Sequence, residues 1–149
     1  MVFGGTYPDL QQQCLQTVGL RESSFPLHYL GVPIVANKLT KLECVHLVDK
    51  FTAKVHQWAP RNISYAGRLV LINSVLFGMF NYWALIFLLP NKVIEKLTQI
   101  SRNCLWSGTE DFKRPPHISW QHSCLPKSKG GLGIKEFAVW NRETIAKLI

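Results

Sequence analysis

The sequence predicts a mainly α fold: a helical bundle, preceded by a small N-terminal β-hairpin and followed by a loop-rich segment that ends in one more helix. Three observations support this class. Apolar residues recur at spacings of three and four in several segments, prolines and a glycine interrupt a short extended run near the N-terminus, and a glycine-rich turn precedes the last periodic segment. With 149 residues, 47% of them hydrophobic, the chain can bury a core of its own.

Two elements are predicted before residue 38. Residues 8 to 18 are expected to form a short helix, because Pro8 suits a first helical position and Gly19 can end the helix. From Phe25 to Val35 the pattern changes to short extended runs that contain two prolines and a glycine. Since proline cannot donate a hydrogen bond to a neighbouring strand, this pattern favours a small edge hairpin.

A capping box predicts the start of the next helix. Thr40 offers a hydroxyl at the N-cap, and the Glu43 carboxylate, three residues later, can reach back to the N-cap amide. We therefore expect a helix to start at Thr40 and to close at Pro60. Its apolar positions share one face, which should turn toward a core. They are Cys44, Val48, Phe51, Val55 and Trp58.

A long uncharged run extends from Leu69 to Asn91. Ser64 is a suitable N-cap, so a third helix is predicted to begin there and to continue through this run. A single membrane span is one interpretation, because charged residues flank the run and Tyr82 and Trp83 lie within it. A helix buried on most sides of a soluble bundle is favoured, because polar residues and a glycine are distributed through the run.

A proline and a glycine mark the ends of the fourth predicted helix: Pro90 starts it and Gly108 stops it. Residues 109 to 117 hold several charges and two consecutive prolines, so we expect an exposed loop there. The apolar stripe of the helix should face the core. It consists of Val93, Leu97, Ile100 and Cys104.

The C-terminal part is predicted to contain a short segment around Trp120, a glycine-rich turn and a final helix from about Glu136. The turn, Gly130 to Gly133, is expected to need positive φ angles. A phosphate-binding loop is the alternative there, but the lysine placement and the preceding strand of such loops are missing. The apolar stripe of the final helix continues to the last residues, which indicates a truncated domain.

The cysteines indicate reduced thiols in an intracellular protein of the nucleus or cytoplasm. No pair of the four cysteines has the Cys-x-x-Cys spacing, and no N-terminal segment resembles a secretory signal, so we expect no disulfide. His117, His122 and Cys124 are close together in the sequence. A fourth zinc ligand at a standard spacing is missing, and we therefore expect no metal there.

The distribution of carboxylates excludes a complete polymerase. Such enzymes hold two metal ions with clustered carboxylates. The only aspartates are Asp9, Asp49 and Asp111, and none is part of an Asp-Asp pair. A nucleophile elbow and a Walker-type phosphate loop are also missing from the sequence. We expect no enzymatic activity from this chain on its own and no cofactor in it.

The charge favours binding to a polyanion. The formal net charge is +8, and it is spread along the chain. Lys50, Lys54 and Arg61 fall on one side of the predicted second helix, and Arg68 follows shortly after; these four could contact successive phosphates. Tyr29 lies near Gly31, where backbone and ring could approach a sugar or a base. A solvated basic surface is the alternative for the lysines, and core packing is favoured for the five tryptophans.

Three phrases in a fixed order resemble a known family. They are Phe25 to Pro33, ending in Tyr-Leu-Gly-Val-Pro, then Ser64-Tyr65-Ala66-Gly67-Arg68-Leu69, and then Leu125 to Ile134 with its Gly-Gly-Leu-Gly. Together they resemble the region just after the catalytic carboxylates in reverse transcriptases of plant LINE-type (non-LTR) retrotransposons. The resemblance covers nearly all of the chain.

The resemblance implies a division of the chain into three parts. Residues 1–37 would be a residual palm edge with a primer-grip-like hairpin, 38–108 a thumb-like helical bundle, and 109–149 a connection segment upstream of the family's zinc-binding segment. The primer grip and thumb of such polymerases hold the template and primer. The partner implied is therefore an RNA/DNA template-primer duplex.

The parts of the family's polymerase that carry out the chemistry are not in this sequence. Fingers, palm and metal-binding aspartates are missing, and magnesium is expected only together with the missing palm. The resemblance therefore implies a reverse transcriptase fragment that keeps the binding role and for which missing polymerase segments are possible partners. A non-functional or protein-interacting remnant is the alternative, and a single-span membrane protein is a further one.

Overall fold

A computed structural model describes residues 27–34, 39–109 and 118–147, together with Gln13, Gln16, Thr17 and Gly19. The chain divides into two compact units, Met1–Lys38 and Leu39–Ile149. The described elements are mainly helical with one small hairpin, which confirms the predicted fold class.

The described part of the first unit contains the predicted hairpin. Strand β1, Leu27–Tyr29, pairs antiparallel with β2, Val32–Ile34. Leu30 and Gly31 form the two-residue turn with φ angles of 52° and 81°, the left-handed pattern that matches the twist of a tight hairpin. Most of the predicted helix at 8 to 18 lies outside the described residues.

The second unit contains six described α-helices. In chain order they are α1 Val45–Trp58, α2 Tyr65–Leu71, α3 Phe77–Ala84, α4 Asn91–Ser107, α5 Trp120–Cys124 and α6 Phe137–Ala146. Short 3₁₀ turns follow α1 at Ala59–Arg61 and precede the glycine-rich turn at Lys127–Lys129. A π-helical turn, Ile72–Leu76, joins α2 to α3 without a break.

Helix α1 begins five residues later than the capping box predicted. The Thr40 amide does donate to a carboxylate oxygen of Glu43, so half of the box is present. Residues 41–44 nevertheless form turns, and Cys44 precedes the helix without a side-chain cap. The local hydrogen bond therefore stabilises a turn before the helix. From the predicted stripe, Cys44, Phe51 and Val55 are buried, whereas Val48 and Trp58 are partly exposed.

The third predicted helix starts as expected and ends early. The Ser64 hydroxyl accepts a hydrogen bond from the Gly67 amide at 3.2 Å, which is the predicted N-cap. The helical segment ends at Ala84, so the prediction that it continues to Asn91 is wrong. Among the residues that the structure describes, no helix combines the length and the apolarity that crossing a bilayer requires.

Asn141 of α6 explains this early end. Its side chain is fully buried, and its amide nitrogen donates to the carbonyl oxygens of Ala84 at 3.4 Å and Phe87 at 2.9 Å. Its Oδ1 accepts from the Leu89 amide at 2.9 Å. Backbone groups that leave a helix inside a core need such partners. Asn141 therefore supplies partners for the backbone groups that are freed where the chain leaves the helix.

Helix α4 occupies the centre of the second unit, where it packs against α1, α2 and α6. Pro90 precedes it and Gly108 ends it with a φ of 74°, as predicted from both residues. All four residues of its predicted stripe are buried. Asn103 and Ser101 are buried too, so the helix is enclosed on more than the predicted face.

An aromatic cluster joins α6 to the rest of the core. The Phe137 ring lies 4.6 Å from the Phe80 ring, and 6.2 Å from each of the Phe51 and Phe77 rings, measured between centroids. Trp140 packs edge-on against Phe77 at 5.2 Å. Burying a side chain such as Phe137 contributes roughly 1.5–3 kcal/mol. Helix α6 is thus part of the same core as the predicted bundle.

The glycine-rich turn has the positive φ angles that the sequence predicted, 80° at Gly130 and 67° at Gly133. Gly131 is required for a different reason, because a Cβ there would overlap the Leu125 carbonyl. The Gly131 amide donates to the Pro126 carbonyl, and the Gly133 amide donates to the Leu125 carbonyl. These two hydrogen bonds fold the turn back on its own start. The turn is therefore a compact structural element that needs glycine at several positions.

Replacing Asn141 with alanine is expected to lower the free energy of unfolding by about 3 kcal/mol or more, because three backbone groups lose their partner and a buried group without a partner costs about 1–3 kcal/mol. Urea denaturation followed by circular dichroism measures this change. Arg142→Ala, at an exposed position of the same helix, is the control and should shift stability by less than about 0.5 kcal/mol. Equal stability of the two variants would contradict the role of Asn141.

Gly131→Ala is expected to destabilise the protein by about 1–3 kcal/mol, because the added methyl group meets the Leu125 backbone. Gly78→Ala is the matched control. An added Cβ at Gly78, an exposed position in α3, meets nothing within 4 Å, and alanine should stabilise the helix by roughly 0.5–1 kcal/mol. Thermal melts of both variants should therefore shift in opposite directions.

Candidate nucleic-acid interface

The two lysines that were predicted to contact phosphates share one groove. Lys50 and Lys54 lie one turn apart on α1 and line an open groove of about 460 Å³. The groove is completed by Ala53 and Gln57 of the same helix and by Met79 of α3. Spacings of three, four and seven place all four α1 residues on one face. The structure thus brings Lys50 and Lys54 together as predicted from their spacing.

The groove lining carries positive charge without an acidic residue. Lys50 is exposed and Lys54 is half-buried, with its Nζ donating to Gln57 Oε1 at 3.3 Å. Within the described part of the chain, neither ammonium group forms an ion pair. Their charge is therefore available to an anion from solution, such as a phosphate.

The two predicted arginines differ in their surroundings. Arg61 is exposed in the 3₁₀ turn that follows α1. Arg68 is half-buried, and one of its terminal nitrogens donates to the Leu105 carbonyl at 3.5 Å. A Cβ on Gly108 would lie 2.9 Å from the Arg68 guanidinium carbon. Arg68 therefore packs at the C-terminal end of α4, where free carbonyls and the helix dipole favour a cation.

Tyr29 and Gly31 both belong to the hairpin of the first unit. Tyr29 ends β1 with 67% of its surface exposed, and Gly31 is the second turn residue. Leu30 between them is 74% exposed and has a positive φ, which is uncommon for a residue other than glycine. The hairpin thus presents an aromatic and an aliphatic side chain at its tip.

Sequence reasoning missed one aromatic pair. Tyr65, the first residue of α2, and Trp106, in the last turn of α4, have ring centroids 5.5 Å apart. Each has an arginine at helical spacing, Arg68 after Tyr65 and Arg102 before Trp106. These spacings are visible in the sequence, but only the packing of α2 on α4 brings the two pairs together.

A second groove of about 380 Å³ lies beside the glycine-rich turn. Lys127 contributes the positive charge there, and Gly133 contributes backbone. Asn73 and Ser74, from the π-helical turn, form part of the wall. The Ser74 hydroxyl already donates to the Val70 carbonyl at 2.7 Å. This groove is smaller and has one cation where the α1 groove has two.

The described cysteines are all free thiols, and each is buried or partly buried. Burial raises the pKa of each of Cys44, Cys104 and Cys124 to about 11, so their sulfurs stay protonated near neutral pH. His117 lies outside the described residues. Among the residues that the structure does describe, no group of three His, Cys, Asp or Glu side chains could hold a metal ion.

Comparison with known proteins gives one similarity. An Arabidopsis thaliana protein named "Putative ribonuclease H protein" is 30% identical over 117 residues. The matched part is 78% of this chain and 19% of that protein, so the chain spans about a fifth of the curated relative. No protein-family model and no solved structure matches the chain.

Proposed function

We propose that this chain is the template-primer-binding, thumb-type part of a retrotransposon reverse transcriptase, without the catalytic palm. Lys50, Lys54 and Arg61 would contact successive phosphates of an RNA/DNA duplex, and the hairpin of Tyr29 and Gly31 would serve as the primer grip. Such a protein would act in the nucleus or cytoplasm. The observation that carries the proposal is the pair of lysines in the α1 groove, neither of which forms an ion pair with a residue that the structure describes.

Charge and sequence similarity support the same proposal. A net charge of +8 favours a polyanionic partner. The similarity to a protein named for ribonuclease H fits a retroelement-related protein. The three ordered phrases that resemble LINE-type reverse transcriptases specify the polymerase type and the thumb region.

A second candidate function is protein interaction through an exposed apolar surface. Leu85, Ile86 and Leu88, which follow α3, are between 46% and 63% exposed, and Tyr82 of α3 is 41% exposed. Exposed apolar side chains that form a patch often mark a contact with another chain, and these four residues are close together in the sequence. Self-association of the protein without affinity for nucleic acid would favour this candidate.

The first experiment measures the binding of a labelled RNA/DNA hybrid to the full chain as a function of salt. Binding should be detectable at about 50 mM salt and should weaken linearly on a log-log plot as salt rises. The double variant Lys50→Gln/Lys54→Gln should reduce the slope by about two and weaken binding equally for hybrids of different sequence.

Lys92→Gln/Lys96→Gln is the matched control. These two lysines are also exposed and one turn apart, but they lie on α4, away from the groove lining. If both double variants lost affinity equally, the effect would be one of net charge and the proposed interface on α1 would be wrong. No hybrid binding by the unaltered chain would overturn the proposed function itself.

We also propose that the chain has no polymerase activity on its own. The metal-dependent step requires clustered carboxylates, and the sequence has no Asp-Asp pair of the kind that such polymerases use. A primer-extension assay with magnesium or manganese should therefore give no product with the purified chain. Extension that persists after removal of contaminating polymerases would contradict this prediction.

A further inference from the structure

A partly exposed aromatic ring packs against a second ring where α2 meets α4. Tyr65 is 41% exposed, and its ring lies 5.5 Å from the Trp106 ring at an angle of 44°. The Ser64 cap holds the first turn of α2 in place. Gly67 makes close packing in that turn possible, because a Cβ there would lie 2.7 Å from Ile63 Cγ2. The Tyr65 ring is therefore fixed on one side and open on the other.

Two arginines flank these rings. Arg68 follows Tyr65 by three residues on α2, and Arg102 precedes Trp106 by four residues on α4. At these spacings each arginine lies on the same helical face as its aromatic partner. Arg68 Nη1 donates to the Leu105 carbonyl, which anchors the guanidinium beside the end of α4.

The cluster has donors that lack acceptors. Arg102 Nε and Trp106 Nε1 are both enclosed and have no hydrogen-bond partner among the described residues. Within that same part of the chain, neither arginine forms an ion pair with a carboxylate. Arginine and tryptophan side chains can only donate. Arg102 as a whole is half-buried, so part of its side chain remains accessible to an acceptor from another molecule.

We propose that this cluster, the Tyr65 platform of Tyr65, Arg68, Arg102 and Trp106, binds one unpaired nucleotide of a single-stranded nucleic acid. The base stacks on the open face of Tyr65, and the accessible part of the Arg102 side chain holds the phosphate. An acidic protein segment would also supply acceptors, but it would leave the exposed ring without a partner. The inference rests on the proposed function and adds a single-strand subsite to the duplex-binding groove of α1.

The test compares two labelled oligonucleotides of about 12 nucleotides, a length within the usual site size. One is oligothymidylate, and the other has abasic sugars at all internal positions, so the two carry the same phosphates. Fluorescence anisotropy with the full chain at about 50 mM salt measures their affinities. Since one stacked base contributes enough to change affinity about 5- to 140-fold, the intact oligonucleotide should bind tighter by a factor in this range.

Variants test which residues produce the preference for the intact oligonucleotide over the abasic one. Tyr65→Phe should bind oligothymidylate like the unaltered chain, whereas Tyr65→Leu, which still covers Trp106, should lose the preference over the abasic strand. Arg102→Gln should weaken the binding of both oligonucleotides. Tyr82→Leu is the matched control, because Tyr82 is also 41% exposed but belongs to α3, and it should change neither affinity.

The outcomes separate this inference from the proposed function. Equal binding of the two oligonucleotides by the unaltered chain would overturn the Tyr65 platform whether or not the variants fold. An unchanged preference in a folded Tyr65→Leu variant would overturn it too. If RNA/DNA hybrid binding still depended on Lys50 and Lys54 in that case, the proposed function would stand. Loss of all nucleic-acid binding in the unaltered chain would overturn both.

Discussion

The hydrogen bonds of Asn141 are the constraint on which the arrangement of the second unit depends. The chain leaves the helical segment at Ala84, and the buried or partly buried backbone groups of Ala84, Phe87 and Leu89 need partners. One side-chain amide supplies them, donating to two carbonyls and accepting from the Leu89 amide. Because Asn141 belongs to α6, these bonds also hold α6 in place, and the Phe137 ring one turn earlier completes the aromatic cluster. A polar contact and an apolar contact thus position the same helix.

Helix α4 connects this core to both candidate binding surfaces. It packs against α1, whose outer face carries Lys50 and Lys54, and against α2, whose first residue is Tyr65. The enclosed face of α4 is apolar along most of its length, so its position is set by burial. Its C-terminal end accepts the Arg68 guanidinium at the Leu105 carbonyl. The charged and aromatic groups of both candidate surfaces therefore rest on a helix whose own position is set by the core.

Local signals in the sequence predicted most element boundaries. Pro90, Gly108 and the Ser64 hydroxyl act through the backbone of their own or adjacent turns, and the structure confirms all three. The two boundaries that were wrong have a different origin. Glu43 does reach the Thr40 amide, but that bond is compatible with a turn as well as with a helix. The uncharged run to Asn91 has no internal stop signal, and the residue that ends its helix lies more than fifty positions away, on α6.

The sequence by itself determined the fold class, the helical stripes, the hairpin around Gly31 and the pairing of Lys50 with Lys54, because each depends on a spacing within one element. Only the tertiary structure decided the surroundings of Arg68, the role of Asn141 and the meeting of Tyr65 with Trp106. The physical reason is that helical periodicity specifies which side chains share a face. Which partner that face meets depends on how the helices pack, and this packing brings together residues that are far apart in the chain.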